Sequence, residues 1–250
     1  MRILILLSLF VLTACQSATL KPTKPQPPTS ATLTQVKAQR IATIRRDVNQ
    51  HRYYLGAPTF IRIFKAENVL ETWLQDPATG RYALFRTYPI CKYSGYLGPK
   101  LAEGDHQAPE GFYEVGVGQL NPWSKFHLSM NLGFPNEYDE AHGRTGSALM
   151  IHGGCSSEGC YAITDKAVEE VYMVAEAAIE RGHNVPVHVF PFRMTDENMQ
   201  RYRNSGWIYF WQNLKEGYDI FEATKVPPRT RHEDFKYVFD APNNLIALLN

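Results

Sequence analysis

The pattern of hydrophobic positions along the chain changes from helical to strand-like and back. Between residues 33 and 55 apolar side chains recur at helical spacing, which predicts an amphipathic helix. After Gly56 the pattern changes to short apolar runs separated by turn-rich segments, which is typical of antiparallel strands. We therefore expect strands over 59–64, 69–75, 82–90, 111–117, 126–132, 148–152 and 185–192.

Two helical stretches accompany these strands. The first is expected to begin at Thr164, as an N-cap, and to end at Gly182, which can adopt a left-handed C-cap conformation. The second begins near residue 195, with a break at Ser205-Gly206, and repeats aromatic residues at helical spacing. From Pro227 onward the chain is charged and is expected to be irregular. The sequence thus predicts an α+β protein with a β-rich unit over 56–195 and a helical, aromatic-rich extension with an irregular tail over 196–250.

The N-terminus has the pattern of an export signal. Residues 1–14 carry an early positive charge, a short apolar run and small residues before Cys15, as secretory signal peptides do. The sequence Leu12-Thr13-Ala14-Cys15 resembles the lipobox of bacterial lipoproteins, which implies that Cys15 is acylated and becomes the mature N-terminus. A cysteine placed there by chance is the alternative. Gln16 in place of Asp implies retention at the outer membrane, so we expect a periplasmic, lipid-anchored protein.

The segment that follows this signal has a composition that does not support folding. Residues 15–32 are rich in proline, serine and threonine and contain no aromatic side chain. Proline-rich chains favour extended geometry, so this segment is predicted to be a lipidated tether. The whole chain has a formal net charge of +1 and no dense run of basic residues, which argues against nucleic acid as a partner. We expect membrane contact only through the lipid anchor.

The cysteine count limits the redox arrangements. With Cys15 assigned to lipid, Cys91, Cys155 and Cys160 remain in an oxidising compartment. One catalytic thiol and one disulfide between Cys91 and Cys155 is the economical arrangement. Three free thiols are the alternative, and a bond between Cys155 and Cys160 would block the candidate site.

The segment from Leu149 to Ala162 carries the candidate chemistry. A predicted strand delivers His152 to a glycine-rich turn, and Cys160 follows eight residues later. A thiol attacks a carbonyl carbon as thiolate, so it needs a base such as His152. The carbonyl of Gly153 can hold the other imidazole nitrogen, and the amides of Gly159 and Cys160 can receive an oxyanion.

Two other readings of this segment stay open on the residues alone. A zinc site is one, although the spacing between Cys155 and Cys160 lacks the paired pattern of structural zinc sites, so we expect no metal. The other is an inert core, with His152 satisfied at a strand end and Cys160 buried as an apolar residue.

These residues resemble the catalytic domain of the L,D-transpeptidase (YkuD-like) family. The run Ile151-His152-Gly153 followed by Ser157-x-Gly159-Cys160 is similar to the family's strand-borne His-Gly and its Ser-His-Gly-Cys motif. Residues 104–113 resemble its Thr-Pro-x-Gly-x-Phe segment. With 91–95 and 98–100, the resemblance covers about 59–195 and is closest to the YafK-like branch. It implies a β-sandwich catalytic fold with flanking helices, Cys160 as nucleophile, His152 as base, Gly153 as the orienting carbonyl, and no cofactor.

The resemblance also implies a substrate and a reaction. Family members attack the diamino-acid carbonyl of peptidoglycan stem peptides and form a thioester on the cysteine. An amine acceptor then gives transpeptidation, whereas water gives hydrolysis, which in the YafK-like branch implies an amidase that releases peptidoglycan-linked lipoprotein. A third alternative is a non-catalytic peptidoglycan-binding scaffold lipoprotein.

The sequence departs from the family motif beside the nucleophile. Glu158 stands where the second histidine is usual, and Tyr161-Ala162 replaces an aliphatic-Arg pair. An ionised Glu158 would raise the thiol pKa, unless it pairs with His152 or receives the cationic amine of the substrate. An exposed Glu158 without a role stays open. Outside the motif, we expect Lys100 and Arg144 to hold stem-peptide carboxylates and Tyr93 and Tyr161 to line the pocket.

Overall fold

The computed structural model describes residues 25–240. The predicted signal peptide, the lipidated Cys15, the first part of the tether and the last ten residues of the tail lie outside the described residues. Within 25–240, no helix has the length and apolar character needed to cross a membrane. The helices are α1 Ala31–Gln50, α2 Glu137–Ala141, α3 Asp165–Glu180, α4 Asp196–Arg201 and α5 Ile208–Thr224.

The strands form two five-stranded sheets and one hairpin. The first sheet has the order β3-β2-β1-β10-β5 and the second the order β4-β9-β8-β7-β6, while β11 and β12 pair with each other. The pairs β1–β10 and β8–β9 are parallel. The bounds are β1 Thr59–Phe64, β2 Val69–Gln75, β3 Tyr82–Pro89, β4 Lys92–Tyr93, β5 Gly111–Val115, β6 Leu120–Asn121, β7 Ser129–Asn131, β8 Met150–His152, β9 Tyr161–Ala162, β10 Val185–Phe190, β11 Arg229–Glu233 and β12 Lys236–Asp240.

The main core lies between the two sheets and α3. Ile61 and Val187 of the first sheet belong to the same buried cluster as Ile151 and Tyr161 of the second. Removing such side chains from water stabilises the fold by roughly 1.5–3 kcal/mol each. The other face of the first sheet is covered by aromatic residues of the C-terminal segment, among them Trp211. The architecture is α+β, with a β-sandwich and flanking helices.

The helix boundaries correct two predictions. Helix α1 ends at Gln50 rather than at residue 55, and begins where the Ser30 hydroxyl accepts a hydrogen bond from the Leu33 amide at 3.1 Å. Thr164 is the N-cap residue of α3, as predicted, but its φ is 71° and its side chain does not make the predicted capping hydrogen bond. Its amide donates instead to the Gly154 carbonyl at 3.0 Å. Gly182 has a φ of 90°, as its predicted left-handed conformation requires.

The predicted strands are present, and the structure shortens several of them. The runs over 59–64 and 69–75 agree with β1 and β2. The run over 126–132 shortens to β7, because His127 adopts a φ of 71° that a strand does not accommodate. The run over 185–192 ends as β10 just before Pro191, which has no amide to continue the ladder.

The prediction of an irregular tail from Pro227 is wrong for the described residues, because β11 and β12 form a hairpin. The turn residues Asp234 and Phe235 have φ values of 47° and 60°, as a tight two-residue hairpin requires. Tyr237 is buried, and its amide donates to the Asn213 side chain of α5 at 2.8 Å. Packing of one aromatic face on α5 therefore orders a charged segment.

Candidate active site

The parallel pairing of β8 and β9 places His152 and Cys160 on one face of the second sheet. Ile151 is opposite Tyr161 and His152 is opposite Ala162. Cys160, immediately before β9, therefore lies beside Met150, two residues from His152 on the same side of the pleat. Ile151 and Tyr161 point to the opposite face and are fully buried in the core. The neighbours Ile151 and Tyr161 thus anchor the two strands in the core, and Cys160 and His152 lie on the opposite face of the sheet.

The His152 ring is held in one orientation. Its Nδ1 lies 2.6 Å from the carbonyl oxygen of Gly153, and its face stacks on Phe126 with ring centroids 4.5 Å apart. Because a carbonyl oxygen only accepts, Nδ1 carries the proton and Nε2 is the basic nitrogen of the neutral ring. Burial lowers the pKa of His152, against the effect of the Gly153 hydrogen bond. The ring is therefore neutral and ready to accept a proton.

Cys160 is a free, half-buried thiol. Burial raises the pKa of the Cys160 thiol and is the largest effect on it. A hydrogen bond with the Met150 backbone and the charge of Lys100 lower this pKa, whereas the Glu158 carboxylate adds to the increase. The Sγ atom lies 3.6 Å from the Ala148 carbonyl oxygen. Among the described residues no hydrogen bond joins Cys160 to His152. Such bonds are often long before substrate binds, and the resting pair is a neutral thiol beside a neutral base.

The amides predicted to receive an oxyanion are not free. The Gly159 amide donates to the Ser94 hydroxyl, and the Cys160 amide donates to the Ser157 hydroxyl at 3.1 Å. The Ser157 hydroxyl also donates to the Cys160 carbonyl at 2.7 Å. The hydroxyl groups therefore compete with an oxyanion for these amides. The sequence does not reveal this, because Ser94 lies 65 positions before Gly159.

Cys91 and Cys155 are joined in a disulfide with their Cα atoms 5.3 Å apart. This is the pairing favoured by the cysteine count, and it leaves Cys160 as the free thiol of the described residues. The bond connects the start of β4 to the loop between His152 and Cys160. It therefore lies next to the candidate nucleophile and does not involve it.

The two predicted carboxylate-binding cations are both buried and paired. Lys100 contacts Asp105, and Arg144 Nη1 lies 2.7 Å from Asp139 Oδ1. The Arg144 guanidinium also lies against the rings of Tyr138 and Phe210, 5.1 Å and 4.9 Å from their centroids. The charge of Arg144 is thus neutralised within the fold, whereas the charge of Lys100 still acts on the Cys160 thiol.

The predicted pocket residues differ in exposure. Glu158 is exposed beside Cys160, and Tyr93 is half-buried in β4. Tyr161 does not line an open pocket: its side chain is fully buried, and its hydroxyl donates to the Pro109 carbonyl at 2.6 Å. The reason is strand alternation, since the position after Cys160 points into the core.

Three side chains near the site were missed by the sequence analysis. Ser94 binds the Gly159 amide, Phe126 stacks on His152, and Asp165 accepts a hydrogen bond from the Gly154 amide at 2.7 Å. None belongs to the His-Gly or Gly-Cys run: Ser94 and Phe126 are distant from it in the sequence, and Asp165 is the first residue of α3. Within residues 25–240, no group of three or more His, Cys, Asp or Glu side chains is arranged to hold a metal ion.

The chain is similar to known proteins over most of its length. The YkuD family, described as the L,D-transpeptidase catalytic domain, matches residues 55–189. YafK of Escherichia coli strain K12, a candidate L,D-transpeptidase, is 46% identical over 189 residues, which cover 75% of this chain and 76% of YafK.

Solved structures of the helical cell shape determining protein Pgp2 from Campylobacter jejuni are also similar. The K307A mutant is 21% identical with a TM-score of 0.46, over 67% of this chain and 59% of that one. A second Pgp2 structure is 19% identical with the same TM-score, over 71% of this chain and 73% of that one. On the extent of the domain match and the identity to YafK, the chain belongs to the L,D-transpeptidase family.

Proposed function

We propose that this protein is a cysteine-dependent enzyme that modifies peptidoglycan stem peptides through a thioester on Cys160. Membership of the L,D-transpeptidase family supports a role in peptidoglycan modification. The observation that carries the finer proposal is the 2.6 Å contact between His152 Nδ1 and the Gly153 carbonyl, on the strand beside Cys160. This contact leaves Nε2 as the base for the thiol.

The proposed first half-reaction is an acyl transfer to sulfur. His152 Nε2 takes the thiol proton as Cys160 Sγ attacks the carbonyl carbon of the diamino acid. The tetrahedral intermediate collapses, the C–N bond breaks, and the amine, such as D-alanine, leaves with the proton from His152. Burial raises the pKa of the thiol, so Cys160 needs His152 to accept its proton before or during the attack.

The acceptor of the acyl group decides between transpeptidation and hydrolysis. Glu158 is exposed next to Cys160, where a carboxylate can bind the cationic amine of an acceptor peptide. This placement favours transpeptidation. Hydrolysis, including release of a peptidoglycan-linked lipoprotein, uses the same thioester with water as the acceptor.

The test is digestion of defined muropeptides carrying diaminopimelate and a terminal D-alanine, with products resolved by mass. Wild type is expected to release D-alanine and form cross-linked dimers, and Cys160→Ala neither. Glu158→Gln is expected to lower the ratio of dimers to hydrolysed product several-fold. Conversion by Cys160→Ala would refute the mechanism. Shortened, uncross-linked peptides alone would assign hydrolysis, and binding without conversion by wild type would assign a scaffold.

The anchor predicted from the sequence is part of the same proposal. Acylation of Cys15 and the predicted proline-rich tether would hold the domain in the periplasm at the outer membrane, within reach of peptidoglycan. The measurement is the intact mass of the membrane-extracted protein, together with the fractionation of Cys15→Ala. Wild type is expected to carry acyl groups and to sediment with outer membranes, whereas the variant is released. Unmodified wild type in the soluble fraction would contradict this.

A further inference from the structure

Residues 91–94 contact the chain on both sides of Cys160: the loop that precedes it and the strand that follows it. Cys91 is bonded to Cys155, and its amide donates to the Ala162 carbonyl at 2.8 Å. Tyr93 of β4 pairs with Tyr161 of β9. One short segment therefore contacts the chain five residues before Cys160, and again directly after it.

The Ser94 hydroxyl completes these contacts at the nucleophile itself. It accepts the Gly159 amide hydrogen and lies 3.4 Å from the Ser157 hydroxyl oxygen. Since the Ser157 hydroxyl donates its hydrogen to the Cys160 carbonyl, the hydrogen between the two serines comes from Ser94. Two hydroxyl groups thus satisfy the amides of Gly159 and Cys160 and the Cys160 carbonyl.

The peptide groups fixed in this way determine where the sulfur lies. Gly159 has a φ of 96°, and a Cβ there would meet the Leu149 side chain at 2.9 Å. The chain therefore makes a sharp turn immediately before Cys160. Rotation of the Gly159–Cys160 peptide would swing Sγ relative to His152. The Ser94 backbone is itself fixed, because its carbonyl accepts from the Ala108 amide at 3.0 Å.

We propose that Ser94 is a positioning residue for Cys160, and that the Cys91–Cys155 disulfide is the covalent part of the same clamp. This inference rests on the proposed function, because it assumes that Cys160 is the nucleophile. Both cysteines are exposed and Ser94 is half-buried, so these groups lie at the edge of the second sheet and outside the hydrophobic core. Their main effect is on the geometry of the reacting sulfur.

The hydroxyl part is tested with Ser94→Ala, Ser94→Thr and the control Ser156→Ala, which changes an exposed serine of the same loop. Displacement of a reacting atom by about 1 Å can cost a hundredfold in rate. We expect Ser94→Ala to lower kcat for muropeptides roughly tenfold or more, with unchanged KM and unchanged Tm. Ser94→Thr, which keeps the hydroxyl, should recover most of kcat, and Ser156→Ala should match wild type. Full kcat in Ser94→Ala, or an equal loss in Ser156→Ala, would overturn the assignment.

The covalent part is tested with the double variant Cys91→Ser and Cys155→Ser, because each single variant leaves a second free thiol near Cys160. We expect a folded protein, by circular dichroism, with kcat reduced in the same direction as in Ser94→Ala. A folded variant with full kcat rejects this part, and so does a variant that unfolds, since the bond would then serve the fold as a whole.

The Cys160→Ala variant separates this inference from the proposed function. If Cys160→Ala converts muropeptides, the proposed function fails, whatever Ser94→Ala does. If Cys160→Ala is inactive and Ser94→Ala keeps full kcat, only the clamp fails. The rate at which iodoacetamide alkylates Cys160, measured by peptide mapping, provides a second comparison between wild type and Ser94→Ala that needs no substrate.

Discussion

The position of the candidate base depends on one residue that has no side chain. A Cβ on Gly153 would lie 2.6 Å from the Phe126 carbonyl oxygen and 2.5 Å from Asp165 Oδ1. The Gly153 amide also donates to the Phe126 carbonyl at 3.0 Å. The backbone here is therefore too close to its neighbours for any other residue, and Gly153 also carries the carbonyl that orients His152.

We expect Gly153→Ala to impair both stability and activity. The added methyl must displace a backbone carbonyl, and overpacking of this kind costs about 1–3 kcal/mol. Because the shift moves the carbonyl that holds His152, kcat should fall by roughly tenfold or more. Urea unfolding and muropeptide turnover measure the two effects.

Gly118→Ala is the matched control, because a Cβ there meets nothing within 4 Å. It should keep both the stability and the turnover of wild type. A Gly153→Ala variant that equals this control would show that the loop adjusts freely, and that Gly153 does not fix the ring.

At the scale of single residues, the sequence predicted the groups that the proposed chemistry requires and missed those that only the folded geometry brings to the site. Cys160 and His152 lie eight residues apart in one recognisable motif, so their residue types and spacing predict their roles. Ser94 and Phe126 approach them only through strand pairing and loop packing, and their types carry no signal. The prediction that the amides of Gly159 and Cys160 are free to receive an oxyanion was wrong for the same reason. The hydroxyl of the distant Ser94 already accepts the Gly159 amide hydrogen.

The C-terminal helix α5 is connected to the catalytic unit by a buried polar network. Lys65 Nζ lies 3.0 Å from Glu110 Oε1, and both side chains are inaccessible to solvent. The other oxygen, Oε2, accepts from Trp211 Nε1 of α5 at 2.9 Å, and the Gly98 amide donates to Oε1 at 2.7 Å. Burial lowers the pKa of Lys65, and the ion pair with Glu110 opposes this change. A buried pair of this kind tolerates the loss of a partner poorly.

We expect Trp211→Phe to destabilise the protein although it keeps an aromatic ring. The change leaves a buried carboxylate oxygen of Glu110 without its donor, and hydrogen bonds to charged groups contribute about 1.5–3 kcal/mol. Urea unfolding of Trp211→Phe measures the loss. Tyr209→Phe, on the exposed side of the same helix, should leave the midpoint unchanged. Equal midpoints in the two variants would mean that the network does not hold α5.

The sequence predicted the helices and strands whose apolar residues form a clear local pattern. It did not predict the segment that is ordered by tertiary contacts. The apolar run in β1 and the helical spacing in α3 are visible in the sequence, because core packing acts on their own side chains. The hairpin over β11 and β12 was predicted to be irregular, since its residues are mostly charged. It is ordered by contacts of Tyr237 with Asn213 and Phe112. No local sequence pattern predicts these contacts.

Across the whole molecule, the first sheet is enclosed on both faces, and this placement buries a histidine. His188 of β10 lies between Phe60 and Phe112, with ring centroids 4.6 Å from each. Its Nδ1 is buried without a hydrogen-bond partner. Burial, and then the charge of Arg62, lower the pKa of His188 to about 3. The helix α5 and the hairpin that cover this face therefore keep a titratable group neutral.

This burial makes the stability of the fold dependent on pH, with a definite sign. The ordinary pKa of histidine is 6.5, so below that pH His188 becomes protonated in the unfolded chain but stays neutral in the folded protein. The stabilisation from this group is complete above pH 6.5 and is lost as the pH falls toward 3, by roughly 1.4 kcal/mol for each pH unit. We expect wild type to lose about 2 kcal/mol from His188 alone between pH 6.5 and about pH 5.

His188→Phe isolates this contribution, because phenylalanine suits the aromatic surroundings and cannot be protonated. The unfolding free energy is measured by urea titration at about pH 7 and pH 5. Its decrease between these two pH values should be about 2 kcal/mol smaller for His188→Phe than for wild type. His183→Gln, which changes an exposed histidine two residues before the same strand, should keep the wild-type dependence. If His188→Phe loses as much stability as wild type over this range, the proton is taken up elsewhere. The closed aromatic face would then not govern the acid sensitivity of the fold.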